Sequence, residues 1–165
     1  MRHTISRLFF SILLFCFCAS GYADSGYREQ VNKLIKQKET PEGVVFEVVN
    51  KDKYFLNMAL PEVARLSKQL RQRFPGLNIV VVSHGSEMFA LTRANQDKNP
   101  QLVEQLESLS GEDVSVHVCG TLAEMRNVDH GEFPSNVEVA VSGPTEIEKY
   151  IDLGFVHIKI FTIGN

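Results

Sequence analysis

From Gly43 to Ile160 the chain alternates between nearly unbroken apolar, β-branched runs and stretches whose apolar residues recur at helical spacing. No other feature limits the possible folds as much. Runs without a polar alternate residue suit strands buried on both faces, and helices between them suit parallel connections. Residues 44–49 make the first such run. Leu56, Leu60, Val63, Leu66, Leu70 and Phe74 then mark a helix, with Pro61 tolerable only in its first turn or at a kink. Pro75-Gly76 stops it, and residues 77–82 form a second buried strand. After Ser83-His84-Gly85 come a short helix over residues 86–93, a polar break over 95–100 and a helix over 101–109. Residues 114–118 read as the third strand, 122–128 as a short helix and 129–136 as a loop. A fourth, shorter strand covers 137–141. Gly143-Pro144 opens a helix that Gly154 closes, and 155–160 make the fifth strand. The expectation is a three-layer α/β domain: an open sheet of about five mainly parallel strands with helices on both faces.

The chain's start has a different character. Arg2, His3 and Arg7 precede a nearly unbroken apolar run, Leu8 to Ala19, and Gly21-Tyr22-Ala23 sets small residues at −3 and −1 of a cut after Ala23. Charge, apolar core and small-residue cut are the pattern of a secretory signal. The run is too short for a bilayer span, which needs about 20 apolar residues. Phe15 and Phe17 stand where small residues would be expected if Cys16 or Cys18 carried lipid. The organisation expected is therefore a cleaved signal over 1–23, a polar leader over 24–42 and an α/β domain over 43–165. The leader, with a weak apolar stripe at Val31, Leu34 and Ile35, reads as a short helix or mobile segment outside the core. Export to the periplasm is expected, with no membrane association once the signal is gone.

Cleavage also changes the charge. The full chain holds 17 Lys and Arg against 20 Asp and Glu; losing Arg2 and Arg7 leaves 15 against 20. A net charge near −5 with no basic patch argues against nucleic acid as a partner.

Cys16 and Cys18 leave with the signal, so Cys119 is the lone cysteine of the mature chain. In an oxidising compartment such a thiol is buried and inert, paired with another chain, or kept reactive. Val118-Cys119-Gly120 and Ser83-His84-Gly85 punctuate the ends of neighbouring strands, both on the carboxyl edge of a parallel sheet where clefts form. A thiol at a helix start has its thiolate favoured by free N–H groups and could attack sulfane sulfur; His84 could supply charge or move a proton. The plainer reading of Cys119 is a small buried apolar residue. His117 reads as a satisfied core or interface histidine. His130 and His157 lack any sequence partner, and Asp129-His130-Gly131-Glu132 reads as a polar loop more readily than a metal site. No phosphate loop, dinucleotide fingerprint, Cys-x-x-Cys of the mature chain, zinc spacing or serine nucleophile elbow is present, and no cofactor is implied.

Several segments in order resemble the DsrE/DsrF-like family: Val44-Val45-Phe46, Asn57-Met58-Ala59-Leu60, Val80 to Gly85, Val116 to Thr121, Val141 to Glu146 and Leu153 to Ile158. The resemblance spans roughly Gly43 to Ile160. It implies a three-layer α/β domain that assembles into trimers or hexamers. It also implies sulfur relay in which a cysteine matching Cys119 accepts sulfur from a donor protein or small sulfur compound and passes it to an acceptor. Two features depart from the relay members. Those are cytoplasmic, whereas this chain carries an export pattern. Glu124 would also oppose thiolate formation if it pointed at Cys119. The alternative function is a non-catalytic oligomeric module that binds a ligand or partner and keeps Cys119 as a structural residue.

Overall fold

The computed structural model describes residues 26–160. The expected signal over 1–23 lies outside the described residues. Five strands form one all-parallel sheet in the order β4-β3-β2-β1-β5: β1 is Gly43–Val48, β2 Asn78–Ser83, β3 Val114–Cys119, β4 Val137–Ala140 and β5 Phe155–Ile160. The chain steps from β1 outward to β4, then crosses back to place β5 beside β1.

That crossover divides the helices unequally. Helices α1 (Gly26–Leu34), α2 (Leu56–Arg73) and α4 (Pro100–Gly111) cover one face. Their apolar stripes, including Val31, Leu60, Val63, Leu70 and Leu106, pack on Val44, Phe46, Ile79, Val81, Val116 and Ile158 in the larger core. Each such buried aliphatic or aromatic side chain contributes roughly 1.5–3 kcal/mol. On the other face α6 (Gly143–Asp152) lays Ile147 against Val45, Val80 and Val82, with Tyr150 and Phe155 at the margin. Strand residues alternate between the two cores, so β1 is buried along its whole length.

Four expectations are adjusted. The leader, described from Gly26 on, is not wholly outside the core: α1 buries Tyr27, Val31 and Leu34 and packs beside β5. Its stripe is short, but Arg28 reaches Glu62 of α2 at 2.7 Å and Arg73 donates to the Ile35 and Gln37 carbonyls. The α2 helix also runs through Pro61, its sixth residue, because burial of Leu56, Ala59, Leu60 and Val63 outweighs one missing backbone bond. The 86–93 segment splits into a 3-10 turn, Ser86–Leu91, and a one-turn helix α3, Arg93–Gln96. Finally, α5 (Gly120–Met125) starts two residues earlier than its apolar spacing suggests, directly after Cys119.

Candidate functional site at the carboxyl edge

β3 ends where α5 begins, and Cys119 is the hinge between them. Its backbone is extended, and its Sγ accepts the Leu122 N–H at 3.4 Å as the cap of the first turn. A side chain at this position is held by burial as well: Cys119 is 6% exposed and packs with the larger core. It is a free thiol. Opposite it, Thr121 fastens the start of α5 to β4's exit, donating both its N–H and its hydroxyl to the Val141 carbonyl. Gly120 is needed there, since a methyl group would stand 2.8 Å from the Ala140 carbonyl oxygen and 3.1 Å from His130 Cε1. His130 therefore borders the cysteine turn, which its distance in sequence conceals. Glu124 is exposed and lies 3.4 Å from His130 Nε2, with no hydrogen bond to the thiol.

His84 sits one step beyond the Ser83–Val118 register pair, on the same edge as Cys119. Its Nε2 is 3.0 Å from Glu47 Oε1, and its ring is capped by Gly143 at the start of α6, where a Cβ would lie 2.9 Å from His84 Cγ. Glu47 is the organising group of this corner. It is an acid in an otherwise apolar strand and is 8% exposed. It also accepts from His157 at 2.8 Å and Lys159 at 2.9 Å on the neighbouring strand. Burial pushes the Glu47 carboxyl up, but the bonds from Lys159, His84 and His157 outweigh it and hold it below its ordinary value. A carboxylate only accepts, so both imidazoles present Nε2–H to Glu47. This leaves each Nδ1 unused among the described residues.

The turn carrying His84 is anchored from below by Glu87, which is fully buried. Its Oε1 accepts from the Ser83 hydroxyl at 2.8 Å and the Gly85 N–H at 2.9 Å, and its Oε2 accepts from the Asn50 N–H at 2.7 Å. No cation pairs with it among the described residues. The ends of β1 and β2 are thus stitched together by one carboxylate.

His117 lies apart from the thiol. It is buried beneath α6, with its Nε2 3.3 Å from the Tyr150 hydroxyl and its Nδ1 3.7 Å and 3.8 Å from Glu138 and Glu146. Burial lowers its pKa, against the pull of the two acids. Of the sequence candidates, Cys119 and His84 share one edge, but no hydrogen bond joins them. Glu47 and Glu87 escaped the sequence reading. Glu47 gave one signal, an acid within a run expected to be buried on both faces, whereas Glu87 gave none, as an acid in an expected short helix. No group of three or more metal-ligating side chains is gathered among the described residues. A cleft of about 640 Å³ opens on the same edge, and neither Cys119 nor His84 lines it.

The DsrE/DsrF-like family model matches residues 43–160. No curated protein matches the sequence. Among solved structures, the chain is similar to MTH1491 from Methanobacterium thermoautotrophicum, described as a protein of unknown function. That match has 20% identity and a TM-score of 0.58, covering 71% of this chain and 97% of that one. It is also similar to the ychN protein from E. coli, with 17% identity, a TM-score of 0.51 and coverage of 72% and 99%. At these identities the two structures speak for the fold.

Proposed function

Because the chain belongs to the DsrE/DsrF-like family, which is associated with sulfur relay, we propose that Cys119 accepts sulfane sulfur as a persulfide. The observation that carries the reading is the placement of the free Cys119 thiol as the cap of α5 on the carboxyl edge, with a backbone N–H directed at Sγ. In the step proposed, the Cys119 thiolate attacks the outer sulfur of a donor such as thiosulfate. The new S–S bond forms as sulfite leaves with the electron pair of the broken bond. The thiol proton passes to solvent or to Nδ1 of His84, whose Nε2 is committed to Glu47. An acceptor thiol on a partner then takes the sulfur.

The setting proposed is the periplasm, after removal of residues 1–23, with the protein as a homotrimer or hexamer. Two features support assembly: the sheet face that, among the described residues, α6 alone covers, and the exposed Val141, Ile151 and Leu153 around that helix. The test is the intact mass of the protein before and after thiosulfate or polysulfide, with native alkylation followed in parallel. A gain of one sulfur atom that is absent in Cys119→Ser supports the carrier. An unchanged mass, with Cys119 alkylated only after unfolding, refutes it. That outcome would favour the binding module with a structural cysteine, the reading to which the low exposure of Cys119 lends weight.

A further inference from the structure

The cleft of about 640 Å³ is built between two carboxyl-edge connections. One wall is the segment after β2, where Phe89 presents its ring and Asn95 donates to both the Phe89 carbonyl and the Thr92 hydroxyl. The opposite wall is the segment after α5, carrying Arg126, Val128, Asp129 and Glu132. Arg93 crosses from α3 to the Gly131 carbonyl at 2.5 Å and ties the two walls together. Lys53, from the connection after β1, closes one end. The volume lies in the range of small-molecule sites.

The charges in this cleft are arranged unusually. Lys53 and Arg126 face it with Asp129 and Glu132, yet no ion pair forms among these four, although each sign is present twice. Lys53 stacks on Tyr54 at 4.9 Å, and Asp129 accepts the Gly131 N–H at 2.7 Å. The Arg126 guanidinium and the Glu132 carboxylate have no partner among the described residues. Separated, unneutralised charges of both signs beside the apolar surface of Phe89 and Val128 complement a ligand that carries both charges on an apolar body.

We propose that this cleft binds a zwitterionic small molecule of the amino-acid type. Arg126, with Lys53, takes the ligand's carboxylate; Glu132, with Asp129, takes its ammonium; and the side chain lies against Phe89. The proposal does not depend on sulfur transfer, because Cys119 does not line the cleft. The probe is L-methionine, whose thioether suits an aromatic wall, titrated into the purified protein by calorimetry or ligand-observed NMR. The controls are N-acetyl-L-methionine, which lacks the ammonium, and L-methionine methyl ester, which lacks the carboxylate. Saturable binding of L-methionine is expected, with each blocked form about tenfold weaker or worse. Arg126→Gln, at an exposed position, and Glu132→Gln, at a half-buried one, should each weaken L-methionine about tenfold, and Glu107→Gln on α4 should leave it unchanged. Absence of saturable L-methionine binding overturns the proposal. So does equal binding of either blocked form, or indifference to both cleft variants. Sulfur loading of Cys119, measured separately by mass, stands or falls independently.

Discussion

Replacing Glu87 by Gln perturbs the turn that carries His84 with almost no change of shape. The carboxylate is fully buried and holds three donors with its two oxygens: Ser83 Oγ and Gly85 N on Oε1, Asn50 N on Oε2. A glutamine amide can keep the two bonds on Oε1, but its NH2 then faces the Asn50 N–H, donor against donor. Turning the amide over lets the Ser83 hydroxyl accept from the NH2 but sets that NH2 against the Gly85 N–H, so one backbone donor is orphaned either way. An orphaned buried donor costs about 1–3 kcal/mol, and the two surviving bonds drop from the charge-assisted range, about 1.5–3, to about 0.5–1.5 kcal/mol each. Against this, the neutral amide no longer has to keep a charge out of water, which offsets part of the loss. The net expectation is a destabilisation of about 2–4 kcal/mol, a large fraction of the roughly 5–15 kcal/mol typical of a domain. Equilibrium urea unfolding followed by far-UV circular dichroism measures it, as a lower midpoint at unchanged slope. Glu87→Ala, which orphans all three donors, should cost more than Glu87→Gln. A Glu87→Gln loss below about 0.5 kcal/mol would show that no ionised, hydrogen-bonded carboxylate holds the turn, and the reasoning would fail.

Two further outcomes follow from other side chains. The bonds from Arg65 and Arg28 outweigh the opposing effect of burial and hold the Glu62 carboxyl at about 2, against 4.5 ordinarily. A depressed carboxyl stabilises fully above its ordinary value and loses that contribution as pH falls through the folded one. The protection of α1 amides, taken relative to intrinsic exchange at each pH, should therefore fall between pH 4.5 and about 2, and the effect should disappear in Glu62→Gln. Its size is reduced because both guanidinium groups are about half exposed. Flat α1 protection across that window would dismiss the tether. Separately, the Ser67 hydroxyl in α2 is buried without a hydrogen-bond partner among the described residues. Ser67→Ala should raise the thermal midpoint by an amount corresponding to about 1 kcal/mol, since it removes an unmet polar group and improves helix propensity. A lowered midpoint would show that the hydroxyl is satisfied.

The sequence by itself determined the alternation of strands and helices, and with it the parallel, three-layer architecture. Period and β-branching are local properties that each run displays whole, so the five strands were legible to within a residue or two. The edge on which Cys119 and His84 lie was also legible, because every strand of a parallel sheet ends on the same side. Tertiary structure alone decided which charges meet. Glu47 finds His157 and Lys159 because β5 crosses back beside β1, and nothing local to either strand records a pairing 110 and 112 residues apart. The same holds for α1, whose three apolar residues are too few to announce a core helix until Glu62 and the flank of β5 receive it. It holds for His130 beside Gly120 and for the two signs of charge kept apart in the cleft. Local spacing sets how a segment folds, whereas a polar group's partner is set by the order of the strands, which is a property of the whole chain's burial.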